Sequence, residues 1–268
     1  MIPKVDYHMH TPLCGHADGQ PHEYVEQALK VGLSEVGFSD HAPLVTGPDK
    51  RYTMNHDELP VYHRMMDEVK KKYPHFTIKV GLEADYVPGF EKKTKEFLDA
   101  YPYDFAIGSI HFINAWAFDD PDPAQNVKWK DKDINAVYRD YYDLLRQSAE
   151  SRLFDIMGHV DLVKKFGHRP TEDISDEIRR TAEVFKRTGV TVEINTSGLR
   201  KPVAEIYPSL SVLKIYQQAG VPITFSSDSH DPKDVGRDYD KARDLALAAG
   251  YKEYRVFKAR KVERLEKL

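Results

Sequence analysis

Short apolar runs alternate along this chain with longer stretches in which apolar residues recur at helical spacing. The runs cover residues 5–8, 35–39, 77–83, 105–110, 154–158, 190–195 and 222–226. Each is four to seven residues long, and most are rich in β-branched or aromatic side chains, which reads as buried strand. Between them, Ile134, Val137, Tyr138, Tyr141, Leu144 and Leu145 fall on one helical face. Similar spacing covers 24–30, 56–73, 91–98, 174–187, 209–218 and 239–248. Seven strand-then-helix units predict an α/β protein with a parallel sheet and helices outside it. A closed or nearly closed barrel, one unit short of the usual eight, fits best. An open doubly wound sheet is the alternative, but no Gly-rich phosphate turn follows the first strand. The segment 251–268 mixes Lys, Arg and Glu with Val, Phe and Leu, and reads as a closing strand or a solvated last helix.

No linker, repeat or low-complexity tract divides the 268 residues, so residues 1–268 are expected to form a single domain. Apolar residues make up 41% and charged residues 31%, enough for a sizeable core, and no run approaches the length of a membrane span. The first ten residues carry neither a basic nor an apolar leader pattern. A single cysteine, Cys14, gives no intramolecular disulfide framework and suits a reducing cytoplasm. The net charge of −4 lacks the basic footprint of a nucleic-acid binder. No membrane or nucleic-acid partner is therefore expected, and self-association into a homo-oligomer is left open.

The chemistry lies where the predicted strands end. His8 and His10 close the first strand, with His16 in its loop; His41 follows the second, Glu83 ends the third, and His111 and His159 lie just past the fourth and fifth. Asp228 and His230 follow the seventh. In a βα barrel these ends share one rim. His8 and His10 are two apart on one strand, so both imidazoles point to the same face. Imidazole and carboxylate donors suit Zn, Fe or Mn. A lone strand-end histidine is usually packing, whereas seven histidines and two carboxylates on one rim form a ligand cluster.

The segments D-Y-H-M-H-T, F-S-D-H-A-P, G-L-E-A-D-Y, G-S-I-H-F, M-G-H-V-D-L, E-I-N-T-S-G-L-R-K and S-S-D-S-H, between residues 6 and 230, resemble the PHP (polymerase and histidinol phosphatase) family of metallophosphoesterases. The likeness is strongest to its histidinol-phosphate phosphatases. It implies a distorted seven-stranded (β/α)7 TIM-like barrel holding three divalent transition-metal ions. His8, His10, Glu83 and Asp228 would hold one; Glu83 would bridge to a second with His111 and His159; His16, His41 and His230 would hold the third. Glu83 and Asp228 would be the catalytic carboxylates. With neutral imidazoles and one hydroxide the cluster would carry about +3, suited to a phosphate monoester. The implied reaction is direct attack of hydroxide on phosphorus, without a phosphoenzyme, converting L-histidinol phosphate to L-histidinol in histidine biosynthesis. Another small phosphate ester is the alternative substrate; a polymerase-associated module and an amidohydrolase are more distant readings.

The sixth predicted strand contributes no ligand and ends in Glu193-Ile194-Asn195, with Arg200 and Lys201 beyond. Arg200 is expected to grip the phosphate, with Lys201 and Arg169 as weaker candidates. Asp161 is read either as orienting a ligand histidine or as capping a helix. Trp116 and Trp129, in the long loop after the fourth strand, are expected to form an aromatic wall for the substrate imidazole, with Asp119, Asp120 and Asp122 facing its ammonium. Ordinary loop packing is the competing reading for these five residues. Cys14, between His10 and His16, is expected to be a packed thiol, with a stray metal contact as the alternative. His22, His56, His63, His75 and His168 are expected at the surface.

Overall fold

The computed structural model describes residues 2–268. Seven parallel strands form one sheet: β1 (Val5–Asp6), β2 (Glu35–Phe38), β3 (Thr77–Asp85), β4 (Phe105–Ser109), β7 (Ile156–Met157), β8 (Thr191–Asn195) and β9 (Ile223–Ser226). Between β4 and β7 the chain adds a small antiparallel pair, β5 (Phe112–Ile113) and β6 (Trp116–Ala117). The sheet curls until β9 meets β1, where the Tyr7 amide donates to the Phe225 carbonyl at 3.3 Å and Met9 bridges to Ser229. The result is a nearly closed (β/α) barrel, with all seven sequence-predicted strands in place.

Each strand feeds a helix on the outer surface. These are α1 (Pro21–Val31), α2 (Leu59–Lys72), α3 (Glu91–Asp99), the short α4 (Pro123–Asn126), α5 (Ile134–Ser151), α6 (Ser175–Thr188), α7 (Leu210–Ala219) and α8 (Tyr239–Ala249). The apolar stripe read in the sequence is the inward face of α5, where Val137, Tyr138, Tyr141 and Leu145 are buried. Asp133 caps that helix by accepting from the Asn135 amide at 2.9 Å.

Inside the barrel, Tyr7 and Phe105 pack with ring centroids 4.9 Å apart. They fit because Gly37 and Gly81 face them; a Cβ on either glycine would come within 2.6 Å of the Phe105 ring.

The C-terminal segment is neither a single closing strand nor a helix. It forms an antiparallel hairpin of β10 (Glu253–Lys258) and β11 (Lys261–Lys267), separate from the barrel sheet. Buried Tyr254, Val256 and Phe257 of β10 cover the N-terminal mouth of the barrel. There the Phe257 amide donates to the Tyr7 hydroxyl at 3.2 Å, and the Thr224 hydroxyl donates to the Arg255 carbonyl at 3.0 Å. Arg260 adds an ion pair to Asp155. With the lower end plugged, the opposite end, where the strands finish, is the open one.

Candidate metal centre

The chain past β1 keeps an extended path as far as His10, because it is bridged on both sides. The Ser229 amide donates to the His8 carbonyl at 3.0 Å, the His10 amide to the Ser229 carbonyl at 3.0 Å, and the Ser39 amide to the Met9 carbonyl at 2.9 Å. This holds the His8 and His10 side chains inward, both fully buried. Glu83 enters from β3, and His41 is bridged to it through the backbone. Asp228 and His159 reach the site from positive-φ backbone, at 51° and 23°. Such non-glycine conformations cost about 1–3 kcal/mol each and gather at functional sites.

Glu83 sits at the centre of the group. Its Oε2 lies 3.1 Å from His8 Nε2, 3.7 Å from His10 Nε2 and 2.9 Å from His41 Nδ1. Its Oε1 lies 2.9 Å from His159 Nε2 and 3.6 Å from His111 Nε2. Asp228 Oδ1 is 3.2 Å from His10 Nε2. His16 and His230 face each other at 3.0 Å between their Nε2 atoms. Five groups have donor atoms that all lie within 4.8 Å of one another: His8, His10 and Asp228; Glu83, His111 and His159; His16, His41 and His230; His10, His41 and Glu83; and His10, His230 and Cys14. The structure thus brings together all nine residues singled out in the sequence.

The electrostatics are those of a cation site. Burial works against ionised carboxylates, yet the surrounding histidines hold Glu83 and Asp228 well below the usual carboxylate range. Burial also works against a charged His8, but Glu193, Glu83 and Asp228 outweigh it and raise its proton affinity. Burial and neighbouring imidazoles push His16 down to about 4 and His230 well below its ordinary value, which leaves both neutral, as ligands must be. His8 Nε2, His10 Nε2 and Glu83 Oε2 are buried without a hydrogen-bond partner. Glu83 Oε2 lies 3.1 Å from His8 Nε2 and 3.7 Å from His10 Nε2, so the three atoms crowd one volume with no hydrogen bond to settle them. Buried polar atoms are seldom left this way, and a divalent ion satisfies all three at once.

The outer nitrogens of the histidines are also held. His111 Nδ1 lies 2.8 Å from Asp85, His10 Nδ1 3.5 Å from Asp40, and His16 Nδ1 3.1 Å from the Cys14 carbonyl. His8 Nδ1 lies 3.0 Å from Glu193 Oε2. The Ser109 hydroxyl donates to Glu83 at 2.6 Å, and the Ser197 hydroxyl to Asp228 at 3.0 Å. The sequence assigned a supporting role to none of these groups, only to Asp161. Asp161 itself takes neither expected role: it pairs with buried Lys164 at 2.8 Å and accepts from the Ser209 amide. Cys14 is buried as expected, and burial pushes its thiol up.

The centre forms the floor of a cavity of about 680 Å³. Arg200 lines it, half-buried, donating to the Ser227 carbonyl at 2.7 Å and lying 3.3 Å from Asp234. Lys165 and Lys201 are on the same side of the rim, whereas Arg169 lies outside and pairs with Glu205 at 2.6 Å. The aromatic wall is not the one expected. Trp116 and Trp129 are buried, pack edge to face at 4.9 Å, and do not line the cavity. Their indole N–H groups donate to the Gln125 and Phe118 carbonyls, so the two rings form the loop's own core. The aromatic surface that faces the cavity comes from Tyr52, Phe112 and Phe166. Asp119, Asp120 and Asp122 do line it, with Asp120 accepting from the Tyr52 hydroxyl. Of the histidines expected at the surface, His63 stacks on Tyr101 at 3.6 Å and His168 on Trp129 at 4.3 Å.

Fold and site together define a (β/α) barrel built to bind divalent metal at the C-terminal ends of its strands. Residues 6–197 match the family model of the PHP domain, and the chain belongs to that family. It is 39% identical to a Deinococcus radiodurans protein named "Probable histidinol-phosphatase", over 86% of this chain and 88% of the relative. It is 34% identical to the histidinol-phosphatase of Bacillus subtilis, over 88% of this chain and 97% of that one. The fold is shared with the histidinol phosphate phosphatase of Lactococcus lactis, solved in complex with Zn, L-histidinol and phosphate. That match has a TM-score of 0.82 at 24% identity and covers 98% of this chain and 100% of that one.

Proposed function

We propose that this protein is a divalent-metal-dependent phosphatase that hydrolyses L-histidinol phosphate to L-histidinol and phosphate, a step of histidine biosynthesis carried out in the cytoplasm. The observation that carries the reading is the convergence of unpartnered His8 Nε2, His10 Nε2 and Glu83 Oε2 on the floor of a cavity whose rim carries Arg200, Lys165 and Lys201. The relatives named for this activity, at 39% and 34% identity over most of their length, support the choice of substrate.

Three ions would be held by His8, His10, Glu83 and Asp228; by Glu83, His111 and His159; and by His16, His41 and His230. Bound there, Zn, Fe or Mn would supply Lewis acidity toward the phosphoryl oxygens and a nucleophile drawn from water at neutral pH. The chain's own groups do the rest. Arg200, already oriented by Ser227 and Asp234, presents its remaining N–H groups to a phosphoryl oxygen. On the same rim, Lys165 lies 3.0 Å from Asp119 and keeps that buried carboxyl below the usual carboxylate range. An ionised Asp119, with Asp120 and Asp122 nearby, suits a substrate whose far end is an ammonium. Tyr52, Phe112 and Phe166 offer flat surface to an imidazole.

Phosphate release from L-histidinol phosphate tests the reading. Turnover is expected with added Zn, Fe or Mn and is expected to vanish on chelation. Arg200→Ala should lower kcat/KM by about 2 kcal/mol, as for loss of a charge-assisted hydrogen bond. Full activity in a chelator would overturn the metal chemistry.

A further inference from the structure

Strand β8 supplies none of the nine metal-ligand candidates, yet Glu193 and Asn195 project from it on the same side, beneath the centre. Glu193 is fully buried and touches two candidate ligands from different groups. Its Oε2 lies 3.0 Å from His8 Nδ1, and its Oε1 accepts from the His159 amide at 2.5 Å and from Asn195 Nδ2 at 2.8 Å. The Asn195 amide cannot turn over freely, because its Oδ1 accepts from the Ser197 amide at 2.9 Å. Its Nδ2 therefore faces Glu193, and also reaches Asp228 at 3.3 Å. Both Glu193 oxygens thus face His8 Nδ1, Oε2 at 3.0 Å and Oε1 at 3.1 Å, but Oε1 also serves two fixed donors, and Oε2 meets His8 alone.

We propose that Glu193 is a positioning residue that fixes the tautomer of His8, holding the proton on Nδ1 so that the Nε2 lone pair faces the metal. The proposal rests on the reading of the centre as a metal site. An imidazole binds metal through a nitrogen that carries no proton, and the partner of the other nitrogen decides which one that is. The geometry makes an unusual demand of the amide isostere. In Glu193→Gln the carbonyl oxygen must stay with the His159 and Asn195 donors, so the NH2 group turns toward His8 Nδ1. The NH2 group then stands in the place of Oε2, 3.0 Å from Nδ1: it donates to Nδ1, moving the ring proton to Nε2 and withdrawing the lone pair from the centre, or it opposes the Nδ1 proton donor to donor, and either outcome weakens the site. Glu193→Ala removes the acceptor but presents no donor, and leaves space for a water that can accept from Nδ1.

A purely structural role would rank these variants the other way, since the isostere preserves packing and alanine leaves a cavity. The test uses full-length parent, Glu193→Gln and Glu193→Ala, loaded with Zn2+ and titrated against a competing chelator. Nitrogen-15 spectra of the histidine rings of the Zn2+-loaded parent accompany it. The expected result is that Glu193→Gln needs about 10- to 100-fold more free Zn2+ for half-occupancy, with Glu193→Ala less affected, and that His8 of the parent carries its proton on Nδ1. Parent-like affinity in Glu193→Gln, weaker binding by Glu193→Ala than by Glu193→Gln, or a bare His8 Nδ1 in the parent would each overturn the proposal. The parent spectrum decides even if neither variant folds. A parent that takes up no Zn2+ would instead overturn the metal reading on which the proposal stands.

Discussion

Glu83 is the residue that makes the centre one unit rather than three neighbouring clusters. Its two oxygens meet His8, His41, His159 and His111 within 3.6 Å, so neutralising it removes charge from several donors together. Glu83→Gln is expected to lower turnover by at least about 100-fold, with a matching loss of bound metal in elemental analysis. Cys14→Ser should stay within a few-fold of the parent, because the thiol is buried and burial pushes it up. Equal damage from the two changes would mean that the thiolate takes part. The candidate ligands were legible in the sequence because strand ends of a barrel share one rim and alternate residues share one face. Glu193, Asp40 and Asp85 carried no comparable signal, since which carboxylate backs which imidazole is decided by packing between strands distant in sequence. Trp116 and Trp129 were misleading for a related reason: two tryptophans in a long loop suit an exposed lid, but here they bury each other. Trp116→Ala should therefore cost about 3–5 kcal/mol in stability, measured by thermal melting, and depress turnover of histidinol phosphate and of p-nitrophenyl phosphate alike. A selective loss on histidinol phosphate would restore the Trp116 wall.

Among the elements, the strands were read to within a residue or two, because β-branched runs bounded by polar turns leave little choice. The C-terminal hairpin was harder. Strand β11 is exposed along nearly its whole length and carries alternating charges, so periodicity alone gave no burial pattern by which to place it. The helix α2 carries a pH dependence of its own. Its His63 stacks on Tyr101 and lies 3.0 Å from the Tyr103 hydroxyl, and burial, aided by Lys70, brings it down to about 4. The folded value lies below the ordinary histidine value near 6.5, so its contribution to stability is full above that pH and is lost as pH falls toward 4. His63→Phe should accordingly lose less Tm between pH 7 and pH 4.5 than the parent does. An equal loss in both proteins would remove His63 from the acid response.

At the scale of the whole molecule, the barrel separates its tasks by end. The hairpin closes the N-terminal mouth, and the strand C-termini hold the centre under a cavity lined by Arg200, Lys165 and Lys201 together with Asp119, Asp120 and Asp122. Among the described residues, no helix is long and apolar enough to cross a membrane. The net charge of −4 gave no hint of the local cationic rim, since Arg200, Lys165 and Lys201 are few against the total. The most direct test is the ratio of kcat/KM for L-histidinol phosphate to that for p-nitrophenyl phosphate, measured on the metal-loaded enzyme. The ratio should exceed about ten, because only the first substrate places an ammonium and an imidazole against the carboxylate and aromatic walls. A ratio near one, with both esters hydrolysed, would contradict the substrate while leaving the metal chemistry in place.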